Sequence, residues 1–205
     1  MRRVETVYFP YDGVVCFVIG LRNGQFIEAG LLGRNGVIGA GSVLNGGYSL
    51  NRALVQVAGS AASIEAGTLR SFAAQSETLR TALMNQEQAL FAHTQQVAAC
   101  NAVHELEARL SRWLLQVRDL VGDDTLPLTQ ELLSQMLGVQ RTSVTLVVRH
   151  LQRAGLITTH RGYVEIADAE GLTDAACECY GAINDQLARL TGWHADAETA
   201  PSRAF

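Results

Sequence analysis

The rhythm of apolar and polar positions changes twice along this chain, and the changes divide it into three stretches. Up to about residue 75, short apolar runs rich in Val, Ile, Phe and Tyr are separated by turn signals. Asn-Gly dipeptides recur at Asn23-Gly24, Asn35-Gly36 and Asn45-Gly46. Such pairs suit type I′ turns because both residues tolerate positive φ. Turns spaced in this way between short apolar runs predict an antiparallel sandwich or barrel. The run "GVVCFVIGL" has the length of a buried strand, and "RALVQVAGSAASIEA" alternates. Ala53, Val55 and Val57 fall on one face there, with Leu54 and Gln56 on the other.

From Ser76 the period becomes helical, and no proline or glycine occurs for 46 residues. Ser76 followed by Leu79 fits a helix start. Leu83, Leu90 and Val97 lie seven apart, with Met84, Phe91 and Ala98 beside them. That stripe is wide enough for two partners. It can pack on the chain's own β domain, but in a long helix between two domains it predicts a dimerisation helix. Leu106, Leu110, Trp113, Leu114 and Val117 then predict a second helix, with the break near Asn101–His104 and a linker at Gly122-Asp123-Asp124.

The third stretch begins at residue 123. "LTQELLSQMLG" predicts a helix capped by Thr129, with Gln130 and Glu131 in its first turn. "RTSVTLVVRHLQRAG" predicts another, stopped by Gly155. "LITTHRGYVEIAD" reads as a hairpin with His160, Arg161 and Gly162 at its tip, and the C-terminal segment reads as one helix followed by a polar end. The expected segments are thus 1–75, 76–122, 123–192 and a flexible tail, 193–205.

The corner "QMLGVQRTSVT" meets the requirements of a helix-turn-helix. A steep crossing needs a small residue at closest approach, a left-handed turn residue and inward apolar positions. Ser134, Gly138 and Val139 fill the first roles, and Leu133, Leu137, Val144 and Val147 supply the inward set. Gln140, Arg141, Thr142, Ser143, Thr145 and Arg149 are left for an outer face. Arginine can reach guanine O6 and N7, glutamine can pair with adenine, and threonine can touch a thymine methyl or a phosphate. His160 and Arg161 would add a wing contact.

Charge strengthens this picture. The chain carries −4 overall, but Leu128 to Tyr163 holds Arg141, Arg149, Arg153 and Arg161 against Glu131 alone, 4 − 1 = +3. A local basic face is what phosphate contacts need. All sixteen basic residues are arginine. Cys16, Cys100, Cys177 and Cys179 form neither a disulfide framework nor a CxxC zinc pattern. The pair Cys177-Cys179 could chelate, but no third or fourth ligand is evident, so no metal or other cofactor is expected. A Ser/His/Asp set, a metal triad and a phosphate loop are all missing from the sequence, so an enzyme is not expected. No apolar run approaches a membrane span, and the N-terminus lacks a signal-peptide core, so a cytoplasmic protein is expected.

"LTQELLSQMLGVQRTSVTLVVRHLQRAGLI" followed by "RGYVEIAD" resembles the winged helix of the Crp/Fnr family of bacterial transcription regulators. "VYFPYDGVV", "QVAACNAVHELEARLSRWLL" and "ACECY" look like a proteobacterial subgroup, and the resemblance covers roughly residues 5 to 192. It implies an α+β chain: an N-terminal antiparallel β-roll like a cyclic-nucleotide-binding domain, a long dimerisation helix and a C-terminal winged helix-turn-helix. It also implies a homodimer on a near-palindromic DNA site, with RNA polymerase as a further partner. Arg141 matches the family's guanine-reading arginine, and Thr129 matches a phosphate-contacting cap.

The departures are specific. Where cyclic-AMP-binding members carry Gly-Glu-x-Gly and Arg-Ser-Ala turns, this chain has "GVIG" (Gly36 to Gly39) and "NRAL" (Asn51 to Leu54). Val37 replaces the carboxylate and Arg52 is displaced by one position, so Gly36, Val37, Gly39, Asn51 and Arg52 predict a pocket for an effector other than cyclic AMP. The N-terminal four-cysteine cluster of oxygen-sensing members is missing, and either the start is expected to be trimmed or the first strands of the roll to be missing. Thr142 and Leu146 replace an acid and an arginine of the recognition helix and predict an unfamiliar operator. The alternative is a small-molecule sensor whose main role is ligand binding in the roll.

Overall fold

The computed structural model describes residues 2–49 and 51–195. Ten strands and eight helices follow one another among them: β1 (Arg2–Arg3), β2 (Thr6–Pro10), β3 (Val14–Gly20), β4 (Phe26–Leu32), α1 (Ala40–Leu44), β5 (Tyr48–Ser49), β6 (Arg52–Val57), β7 (Ala61–Glu65), α2 (Ala66–Gln75), α3 (Glu77–Val103), α4 (Leu106–Val121), β8 (Thr125–Leu126), α5 (Gln130–Leu137), α6 (Arg141–Arg153), β9 (Ile157–His160), β10 (Tyr163–Ile166), α7 (Ala169–Ala175) and α8 (Cys179–Thr191). Antiparallel N-terminal sheets, a long helix and a C-terminal helix-turn-helix make the chain α+β, as its sequence predicts.

The N-terminal strands form three small antiparallel sheets, ordered β1-β5, β2-β7 and β4-β3-β6. The central strand β3 is the apolar "VVCFVIG" run, and its first five residues are buried. A run apolar on both faces can be buried only where both faces are covered. On β6 the alternation resolves as Leu54 and Gln56 half-buried, with Ala53 and Val55 open to solvent.

The Asn-Gly turns differ from expectation. Gly24 and Gly46 have φ of 85° and 88°, but Gly36 is not in the left-handed region, and no described non-glycine residue has positive φ. A type I′ turn needs positive φ at both central residues, so none of the three is one. Asn23 and Asn35 instead accept backbone N–H groups two residues away, from Gln25 and Gly33. Asn45 takes up the end of α1, its backbone N–H donating to the Gly41 carbonyl at 3.0 Å.

Residues 66–75, read with the strands in the sequence, are helix α2. Ala66, Leu69 and Ala73 already have the 3–4 spacing of a buried helical face, but over fewer than three turns. Ser76 separates α2 from α3 in extended backbone, and its side chain accepts the Leu79 N–H, as expected of a cap. The helix break falls at His104, inside the predicted window.

Helix α4 is the centre of the molecule. Leu110, Trp113, Leu114 and Val117 are fully buried and join Val14, Cys16, Val18 and Leu31 of the sheets to Leu133, Val144, Val148 and Leu151 of the C-terminal helices in one core. Strands and winged helix are therefore packed together rather than strung on a linker. The C-terminal segment is two helices, not one. It breaks at Ala176, which is extended (φ −79°, ψ 157°). The sheet of the wing gains a third strand, β8, so its order is β8-β10-β9. Trp193 to Ala195 are described; the rest of the expected tail, 196–205, lies outside the described residues.

Candidate nucleic-acid interface

The corner between α5 and α6 is built as its sequence requires. Thr129 Oγ1 accepts the Leu132 N–H at 3.3 Å, opening α5. Gly138 closes it with φ 67°, ψ 35°. An L side chain resists that conformation, and a Cβ there would meet Ile27 of β4 at 3.2 Å. Ser134 is buried, its Oγ donating to the Glu131 carbonyl at 2.6 Å, and the Val139 N–H donates to the Ser134 carbonyl at 3.0 Å. Val144, Val148 and Leu151 face the core. Val147, placed inward by the sequence, is half-buried. Gly155 ends α6 with φ 77°, and the Leu156 N–H returns to the Leu151 carbonyl at 3.0 Å, a Schellman closure.

This geometry presents Gln140, Arg141, Thr142, Leu146 and Arg149 to solvent, with Ser143 half-buried beside them. Arg141 is held forward by Glu131 across the corner, 3.5 Å away. Both side chains are more than half exposed, so the pair is weak and a stronger anion can displace Glu131. Thr145 has a structural role that the sequence did not show. Its Oγ1 bonds Gln130 Oε1 at 2.8 Å and the Arg141 carbonyl at 3.0 Å, joining the two helices. His150 Nδ1 similarly meets Glu107, tying α6 to α4. At the wing tip Gly162 has φ 91°, Arg161 is exposed, and His160 stacks on Tyr163 with centroids 4.5 Å apart. A cavity of about 510 Å³ separates the start of α6 from the β3–β4 hairpin, lined by Asn23 to Ile27 on one side and by Glu131, Gly138, Gln140 and Arg141 on the other.

The candidate effector residues do not converge. Gly36 and Val37 line a second cavity of about 510 Å³ between the roll, α3 and the end of α8. Arg52 lies elsewhere, its guanidinium 4.7 Å over the Phe26 ring. Gly39 precedes α1, whose Gly41 N–H is taken by Glu87 Oε1 of α3 at 2.8 Å. A carboxylate of the chain itself thus occupies this amide.

The expected dimer stripe divides into two rows. Leu83 and Val97 are buried by their own chain, and Leu90 packs over Gly30, where a Cβ would meet it at 2.8 Å. The large apolar residues of α3 that face outward are Met84, Phe91 and, at its last residue, Val103. The Leu83, Leu90 and Val97 row marks the inward face, and the row beside it, Met84, Phe91 and Ala98 at the same spacing, is exposed.

Two buried groups sit where α3, α4 and β4 meet. Glu28 is pushed up to about 7 by burial, against the pull of Arg112. His93 is held down to about 3 by burial and by the same arginine. Finally, Cys177 and Cys179 do have company. Cys100 and His104 at the end of α3 bring their ligand atoms within 4.8 Å of them. The sequence signal for this was the i, i+4 spacing of Cys100 and His104, which puts both on one helix face.

Fold and site together define a winged-helix chain behind an antiparallel roll. Residues 108–175 match the family model described as the Crp-like helix-turn-helix domain. No curated protein matches the sequence significantly. Among solved structures, the chain is similar to FixK2 from Bradyrhizobium japonicum (TM-score 0.73, 16% identity, 86% of this chain and 89% of that one). It is also similar to TTHB099, a CRP-family transcriptional regulator from Thermus thermophilus (0.69, 20%, 96% and 92%). A third is the c-di-GMP-responsive global regulator CLP of Xanthomonas campestris (0.64, 16%, 80% and 85%). The chain therefore has the Crp/Fnr-like fold and carries a Crp-like helix-turn-helix domain.

Proposed function

We propose that this protein is a homodimeric, sequence-specific DNA-binding transcription regulator of the Crp/Fnr type. The observation that carries the reading is the exposed polar start of α6, Gln140, Arg141 and Thr142, aimed outward by a capped corner within the segment that matches the Crp-like domain. Two copies of α6 enter successive major grooves about one helical turn apart. Arg141 releases Glu131 to read guanine, Arg149 with Thr129 and Arg161 of the wing contact phosphates, and RNA polymerase is the further partner. The proposal places the protein in the cytoplasm, which accords with no described helix being long and apolar enough to cross a membrane.

Dimerisation through α3 rests on its outward Met84 and Phe91 rather than on Leu83, Leu90 and Val97. The effector is other than cyclic AMP: Val37 offers no carboxylate, Arg52 is engaged with Phe26, and Glu87 already holds the α1 amide. Electrophoretic mobility shifts with a selected DNA site, repeated across salt concentrations, test the reading. Affinity falls steeply with salt because arginine–phosphate contacts release counterions. A response flat in salt contradicts the model.

A further inference from the structure

We propose that Cys100, His104, Cys177 and Cys179 form a closed, four-coordinate binding site for a zinc-class divalent ion. It lies apart from the DNA-reading face, at the junction of α3 with α7 and α8. Cys100 and His104 come from the last turn and cap of α3; Cys177 comes from the break between α7 and α8, and Cys179 opens α8. The three thiols are buried and the imidazole is largely so. The four ligand atoms all lie within 4.8 Å of one another. Cys100 Sγ is 3.5 Å from Cys177 Sγ, and Cys179 Sγ is 3.6 Å from His104 Nδ1. Tetrahedral bonds of ~2.3 Å to sulfur put neighbouring ligand atoms ~3.8 Å apart, so an ion fits with sub-ångström adjustments. Such a span suits one ion rather than the several irons and sulfides of a cluster.

The surroundings favour metal over a merely apolar packing of thiols. His104 presents Nδ1 to the cluster while its Nε2 meets Glu178 Oε1 at 3.2 Å. That is the carboxylate–histidine pairing that fixes the tautomer of a metal ligand. Gln96 Nε2 donates to Cys179 Sγ at 3.1 Å, as an amide does to a thiolate. Three sulfurs and one imidazole select zinc among common divalent ions, and four protein ligands leave no open position, so the role is structural rather than catalytic. On binding, three S–H bonds are lost, three sulfur–metal bonds and one nitrogen–metal bond form, and three protons leave to solvent. The product carries one net negative charge. Arg112, buried beside Cys100, and Arg109 are close enough for their charges to offset it. Arg109 also donates to the Leu137 carbonyl at 2.7 Å, next to the corner glycine, so the site adjoins the helix-turn-helix from behind. The break in the C-terminal helices now has a reason: it turns Cys177 inward.

Metal analysis of the full chain, purified under reducing conditions, followed by Co²⁺ titration of the metal-free protein, tests the site. One Co²⁺ per chain is expected, with the sulfur-to-metal charge-transfer and intense d–d absorption of tetrahedral thiolate coordination, and Zn²⁺ should displace it. Cys100→Ser, Cys177→Ser and Cys179→Ser each abolish the charge-transfer signature of this geometry or weaken binding at least 100-fold. Glu178→Gln, which leaves every ligand in place, weakens it about 10- to 100-fold. Cys16→Ser, remote from the cluster, leaves it unchanged. If serine variants do not fold, the wild-type spectrum and Glu178→Gln decide. An octahedral Co²⁺ spectrum, a stoichiometry far below one, equal weakening by Cys16→Ser, or a Cys100–Cys177 disulfide in place of metal would overturn the proposal.

Discussion

The two ends of this molecule obey different rules. In the winged helix each boundary is set by a residue acting on its immediate neighbours: Thr129 on Leu132, Gly138 at φ 67°, Gly155 at φ 77°. In the N-terminal half the deciding contacts come from far along the chain. Leu90 covers Gly30, Glu87 takes the Gly41 amide, and Gly36 lies so close to Leu32 and Gln86 that a Cβ would meet them at 2.4 and 2.7 Å. Local chemistry can be read from a single sequence, but long-range packing cannot. The outward face of α6 is therefore evident without the structure, while the inward turn of the α3 stripe is not.

Both halves share α4, where a single substitution should have the largest effect. Trp113→Ala removes a fully buried side chain from the common core and should cost about 3–5 kcal/mol. Chemical denaturation followed in both halves should show them weakened together. A loss confined to one half would mean that the core is not common.

The next effect belongs to the long-range side. Folded Glu28 keeps its proton up to about pH 7, whereas the unfolded carboxyl ionises near 4.5. The native state thus binds more protons between those values, and its stability falls as pH rises through that window, by about 3 kcal/mol. His93 has the opposite slope. It stays neutral to about 3 in the fold but protonates near 6.5 when unfolded, so stability is lost as pH falls from 6.5 towards 3. Urea titrations at several pH values should show that Glu28→Gln removes the loss above pH 4.5. An unchanged profile in that variant would exclude Glu28 as its source.

On the local side, Gly138→Ala should cost about 1–2 kcal/mol for its left-handed backbone, with a further cost from the approach to Ile27. Thermal melts measure it, and a neutral substitution would show that the corner relaxes. The smallest effect compares two caps directly: Thr129→Ala and Ser76→Ala should each cost about 1 kcal/mol. Similar losses are expected because a cap acts locally in either half.

The same distinction explains what was legible in the sequence. Order of elements, the buried β3 run, the Ser76 cap, the break at His104 and the helix-turn-helix corner all rest on short-range pattern. The Asn-Gly pairs do not form the turns their sequence suggests because positive φ is confined to the glycines, and Asn23 and Asn35 accept neighbouring amides instead. Thr145 looks free in the sequence because its partner Gln130 lies on another helix. The cysteine–histidine cluster stays hidden there because Cys100 and Cys177 meet only when α8 packs on α3. Arg52 can be seen to be displaced, but not that Phe26 would receive it.

In the proposed function, the polar start of α6 reads DNA. Selection of bound sequences from a random DNA pool, by the wild-type chain and by Arg141→Ala, tests it most directly. A near-palindromic motif with half-sites about one helical turn apart is expected from the wild type. Arg141→Ala should lose about 1–3 kcal/mol of discrimination at one guanine position while its melting temperature is unchanged. The same motif recovered by both proteins with equal preference, or no motif from the wild type, would contradict it.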